Sequence, residues 1–205
     1  MRSGRIRRVT GLTLLSVFLI LSACATRNHL IVDYHVPAPS DRISGQTVYL
    51  QIKDSRDNPE IFTPAAARQV KGFNNLYNLT LVSAKERIPL GGRDLQGIFL
   101  EAFKKRMEQM GAKIAPSESG SAPVFQIVIK TIQIDLQDRK WIAKAGYEAN
   151  LFLDHQLVAR ETVTGEAERV RIVGREGADD TLSDIFSEII NRLDIVKLFQ
   201  QAKLV

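Results

Sequence analysis

The chain is short of the residues that build reactive centres. Its 205 residues include one cysteine, Cys24, which excludes an intrachain disulfide and a cysteine-based metal cluster. Its three histidines, His29, His35 and His155, share no metal-like spacing. Without a positioned histidine or cysteine, a Ser-His-Asp arrangement lacks its parts. Serine, lysine and aspartate are too common here to mark a Ser-Lys or two-carboxylate centre. The expectation is therefore no catalytic residue, no cofactor and no metal. Glycine offers little more. Gly91-Gly92 could present backbone N–H groups to an anion, but the spacing is neither a P-loop nor a dinucleotide fingerprint, and a turn that needs flexible glycines is the better explanation.

An excess of charge of one sign is also missing once the chain is divided. The whole sequence carries 28 basic and 23 acidic residues. Arg2, Arg5, Arg7 and Arg8 crowd the start, where no acid occurs, and removing those four from 28 leaves 24 basic against 23 acidic residues. A nearly balanced remainder gives no electrostatic case for a nucleic-acid partner. The longest apolar run, Val9 to Leu21, is 13 residues. As a helix it would reach about 20 Å at ~1.5 Å per residue, short of the roughly 30 Å hydrocarbon core of a bilayer. A positive start, a short apolar run and the small residues Ser22 and Ala23 read as a cleavable export signal over residues 1–23.

Leu21-Ser22-Ala23-Cys24 resembles the lipobox of bacterial lipoproteins. The resemblance implies diacylglyceryl transfer to the Cys24 thiol, cleavage before Cys24 and acylation of the new amine. Three acyl chains make a stable anchor, since each buried CH₂ contributes ~0.8 kcal/mol. In the Gram-negative sorting pattern, Asp after the cysteine retains a lipoprotein in the inner membrane. Ala25 in that position implies the outer membrane, with the chain facing the periplasm.

After the anchor, residues 24–46 read as the lipidated N-terminus and a flexible tether, with Pro37, Pro39, Ser40, Ser44 and Gly45 among scattered polar residues. Residues 47–205 read as one α+β domain. Thr47 to Lys53 alternates, with Val48, Leu50 and Ile52 on one face, as a half-buried strand does. Leu76 to Val82 suggests a second strand. Asp94 to Met110 carries Leu95, Ile98, Phe99, Ala102, Phe103, Met107 and Met110 at helical spacing, with Asp94 as N-cap and Gly111 as the stop. Ala112 to Ala115 is a short strand. Three long β segments follow at about 124–138, 141–154 and 157–172, with turns at Gln137 to Lys140 and Asp154 to Gln156. A helix from Thr181 to about Leu193 has a capping-box-like start, and a shorter one runs from Asp194 to Ala202. This order predicts an antiparallel or mixed β-sheet with two main amphipathic helices packed on one face.

Arg139, Lys140 and Trp141 form a basic-aromatic cluster at a predicted hairpin, a candidate contact for a lipid headgroup, a glycan or a protein partner. A solvated hairpin with one packed tryptophan is the plainer explanation. The lipobox, the strand-to-turn segment Val48 to Arg56 and the closing helix 181–193 together resemble small Gram-negative lipoproteins of the YajG-like group. The resemblance implies a periplasmic α/β domain and supplies no catalytic residues. The sequence thus predicts a non-enzymatic envelope lipoprotein, held to a membrane by its lipid and binding an envelope protein partner. A lipid- or glycan-binding module is the alternative, and an enzyme comes third.

Overall fold

The computed structural model describes residues 28–118, 122–171 and 176–205. The strands are β1 (His29–His35), β2 (Thr47–Asp54), β3 (Leu76–Val82), β4 (Arg87–Arg93), β5 (Lys113–Ile114), β6 (Val124–Gln137), β7 (Lys140–Leu153) and β8 (Gln156–Val170). The helices are α1 (Pro64–Ala67), α2 (Leu95–Gln109), α3 (Glu176–Arg192) and α4 (Ile195–Gln201). Two open sheets form: a three-stranded one in the order β1-β3-β4 and a five-stranded one in the order β5-β2-β6-β7-β8. Both mix parallel and antiparallel pairs, because β1 runs parallel to β3 and β2 parallel to β5 and β6. The class is α+β, and α2 and α3 are its two main helices.

The large sheet is made by a long meander. The turns Asp138-Arg139 and Asp154-His155 have positive φ at both residues, 45° and 66° in the first and 48° and 65° in the second. That geometry suits the right-handed twist of the strands that it joins. Along β7, Trp141, Ala143, Ala145, Tyr147, Ala149 and Leu151 are buried on one face. The helices cover this face with aromatic side chains. Phe103 meets Tyr147 edge-on at 5.5 Å, and Phe99 of α2 meets Phe186 of α3 at 5.1 Å and 87°. Such edge-to-face contacts add to the area that each ring removes from water. Among the described residues, no helix is long and apolar enough to cross a membrane.

The stretch expected as a tether is a correction. From His29 onward it is part of the fold: Leu30, Val32 and Tyr34 are fully buried in β1, and Ile43 is fully buried farther along. The outer edge of β1 is closed by one stripe of α3. The backbone N–H groups of Ile31, Asp33 and His35 donate to Asp179 Oδ1, Ser183 Oγ and Ser187 Oγ, each at 3.0 Å. Ser187 also donates to the Asp33 carbonyl at 3.1 Å, and Asn191 Nδ2 to the His35 carbonyl at 2.8 Å. The match is geometric. Four helical residues advance ~6.0 Å and two strand residues ~6.6 Å, so a polar residue every fourth position meets every second amide.

Two smaller differences follow. β4 runs through Gly91-Gly92, where a turn was expected, and Gly91 takes φ +75° beside an irregularity in the β3–β4 register. α3 begins at Glu176, ahead of Thr181, so Thr181 is no cap and its hydroxyl donates back to the Gly177 carbonyl. Arg106, inside α2, is buried.

Candidate functional site

The export signal over residues 1–23 and Cys24 lie outside the described residues. Asn28 is the first described residue, and its side chain packs against Gly72, where an added Cβ would come within 3.1 Å of Asn28 Oδ1. The backbone N–H of Asn74 donates to the Asn28 carbonyl at 3.1 Å. The chain therefore enters the fold beside the loop that leads into β3.

Several elements converge on this end of the molecule. β1 and β3 start here in parallel, His29 opposite Leu76, and β4 finishes here with Arg93 opposite Tyr77. The tip of the β6–β7 hairpin reaches the same end. Arg171 ties the two regions together, donating its backbone N–H to the Arg139 carbonyl at 2.7 Å and its guanidinium to Gln69 at 2.8 Å. The predicted cluster is thereby divided. Arg139 is exposed at the turn, and Lys140 pairs with Glu168 across the sheet at 2.9 Å. Trp141, proposed as a contact residue, is fully buried and is corrected to a core residue. It falls on the inward register of β7, with the first turn of α3 laid over its indole. A Cβ at Gly177 would come within 2.6 Å of Trp141 Cδ1, so a glycine is required there.

The basic character of this end comes from separate segments. Arg68 and Lys71 reach it from the loop after α1, Arg93 from a strand end and Arg139 from a turn, and none of the four ion-pairs with a carboxylate among the described residues. Asp94 is close by, but its carboxylate caps α2, accepting from Gly97 N at 2.7 Å. That internal cap occupies the helix N-terminus, where the sequence offered Gly91-Gly92 as an anion site. Leu76, 37% exposed, adds an apolar side chain to the same end.

Two other regions hold polar side chains in concert. Arg106, 8% exposed, donates to the carbonyls of Ile190, Asn191 (3.2 Å) and Leu193 (2.5 Å) and so closes the C-terminus of α3. A cation there complements the negative end of the helix dipole. Burial lowers the Arg106 pKa and raises that of its neighbour Tyr34. Both residues are placed to hold structure: Tyr34 OH donates to Asn191 Oδ1 at 2.9 Å. A cleft of about 250 Å³ opens over this junction between Ser40, Arg42, Arg106, Gln109 and Asn191. On the outer face of the large sheet, Gln51, Gln126, Asn150 and Arg160 form a hydrogen-bonded row across four strands. Sequence reasoning missed Arg106. Its signal was an arginine at the helical spacing of Ala102 and Phe103, on the apolar stripe itself. Among the described residues, no group of three His, Cys, Asp or Glu side chains gathers as a metal site.

The chain matches no protein-family model and no curated protein. Solved structures do resemble it. A Xanthomonas campestris protein of the DUF330 family aligns with a TM-score of 0.53 at 15% identity, covering 85% of this chain and 99% of that one. A minor lipoprotein of Acinetobacter baumannii aligns at 0.43 with 8% identity, over 82% of this chain and 95% of its own. Rare lipoprotein B of Shewanella oneidensis aligns at 0.39 with 8% identity, over 76% and 95%. The Xanthomonas protein, matched over nearly its whole length, has the same fold as this chain.

Proposed function

We propose that the protein is a non-enzymatic lipoprotein of the bacterial envelope, anchored through Cys24 in the outer membrane and facing the periplasm. Its work there is to bind an envelope partner as an accessory factor in assembly or transport. One observation carries the reading: the chain's sole cysteine ends a Leu-Ser-Ala-Cys sequence behind a positive start and a short apolar run. The non-enzymatic part draws support from how polar groups are used. Arg106 closes a helix, Asp94 and Asp194 cap helices, and Ser183 and Ser187 close a strand edge.

Cys24→Ser tests the anchor. The variant loses acyl labelling and leaves the membrane fraction; acylation that persists in it contradicts the proposal. Ala25→Asp tests the membrane assignment. It shifts the protein to the inner-membrane fraction of a density gradient, whereas an unchanged inner-membrane position in both forms contradicts the outer-membrane reading. Cross-linking in native membranes distinguishes the partner from the alternative, because capture of lipid alone favours a lipid-binding module.

A further inference from the structure

We propose that the end of the domain at which the chain enters rests on the anionic headgroup surface of the membrane that holds the anchor. This inference depends on acylation of Cys24. The reason is length. From Cys24 to Asn28 there are four residue steps, which span at most about 14 Å at ~3.3–3.6 Å per residue. A domain of this size measures about 30–40 Å across, from a radius of gyration near 16 Å. The link is shorter than the body that it holds. Asn28 is fastened by its backbone to Asn74 and packed on Gly72, and β1 is locked along α3 immediately afterwards. Little slack is left, so one particular end must lie next to the bilayer.

That end has the chemistry of a surface contact. Arg68, Lys71, Arg93 and Arg139 project there without carboxylate partners among the described residues, and Leu76 lies exposed beside them. The nearby acids are mostly engaged: Asp94 caps α2, Asp135 accepts from Thr63 and Gln137, Asp179 accepts from the Ile31 amide, Glu168 pairs with Lys140, Asp180 lies 3.9 Å from Arg169, and Asp138 sits in the hairpin turn. At the opposite end the two hairpin turns carry no excess of cations, with Lys85 beside Glu86 and Asp154 beside His155, and the exposed Arg42, Lys113 and Lys203 there lie a domain's width from Asn28. Cations act on an anionic surface within a Debye length, about 8 Å at physiological salt, and the short link holds them in that range. A basic patch together with an acyl anchor is a recurrent two-signal mode of membrane attachment.

The test uses the mature acylated protein in vesicles of phosphatidylcholine, with or without phosphatidylglycerol, containing a lipid with a nitroxide on its headgroup. Acylation consumes the Cys24 thiol, so one introduced cysteine carries a fluorophore. Lys71→Cys labels the proposed contact and Ala84→Cys the far turn, about 23 Å away along a seven-residue strand at ~3.3 Å per residue. The proposal expects quenching at 71 at least about threefold greater than at 84 with phosphatidylglycerol present. Arg68→Glu with Arg93→Glu, or omission of phosphatidylglycerol, reduces it by about half or more. Equal quenching at both positions, or quenching at 71 indifferent to lipid charge, overturns the proposal; the lipid arm needs no variant to fold. Intact mass separates the two claims. An acyl-free Cys24 defeats the anchor reading and this inference with it, while an acylated chain without the asymmetry defeats this inference alone.

Discussion

β1 and β8 are both terminal strands, and they are finished in opposite ways. The outer amides of β1 are taken up one by one by Asp179, Ser183 and Ser187. β8 is twice as long, and no strand among the described residues pairs with its outer edge. Its outward face is defended by charge, with Lys140–Glu168 and Lys144–Glu166 pairs running across to β7. Charged outward faces are one means of discouraging unwanted strand pairing. A short edge closed by a helix is a mechanical joint, whereas a long edge guarded by charge is only a surface. The joint begins at His29, five residues after Cys24, the proposed site of lipid attachment.

Breaking the joint should cost the most. Ser183→Ala with Ser187→Ala leaves the Asp33 and His35 amides and the Asp33 carbonyl without partners, at ~1–3 kcal/mol for each buried unsatisfied group before relaxation. A loss of about 3–5 kcal/mol is expected in urea unfolding, along with faster exchange of the β1 amides. Removing the closure at the other end of α3 should cost less. Arg106→Met strips the donors from Ile190 and Leu193 and should lower stability by about 2 kcal/mol. Arg106→Lys should recover little of it, since a single ammonium cannot reproduce the guanidinium fork.

A smaller effect lies away from both edges. The Asp54 carboxyl is held below its usual pKa by hydrogen bonds from Arg56, 2.8 Å away at the closest approach. A carboxylate with a depressed folded pKa contributes stability above its unfolded pKa and loses it as pH falls through the folded value. Asp54→Asn should therefore lower the urea midpoint at pH 7, and the gap from the parent should close on acidification below pH 4. The smallest effect belongs to the guarded edge. Thr162→Ala on β8, exposed to solvent, should change stability by no more than about 0.5 kcal/mol. A loss there as large as that of the serine pair would dissolve the contrast between the two edges.

The comparison also explains what the sequence could convey. α2 and the three long strands were legible because each buries one face at a constant period. Leu30, Val32 and Tyr34 alternate in the same way, but Pro37, Pro39 and the polar residues nearby suggested a linker. What fixes β1 is its parallel pairing with β3 and, on its other edge, a stripe of small polar residues about 150 positions later, neither of which a local pattern announces. β4 was hidden by Pro89 and two glycines, which an edge strand tolerates. Trp141 was misplaced because its basic neighbours drew attention, although its register with Ala143, Ala145 and Tyr147 points inward. Of the proposed site, Cys24 could be read as a linear motif. The basic end was not, since Arg68, Lys71, Arg93 and Arg139 meet only through folding.

The most direct test of the account is hydrogen exchange of the membrane-held protein, read by mass on the peptide from Cys24 through His35. The account predicts that this peptide carries the mass of an acylated N-terminal cysteine and that the amides of Ile31, Asp33 and His35 exchange as slowly as those of β7. An acyl-free peptide, or one whose amides all exchange at the rate of a free chain, would contradict it.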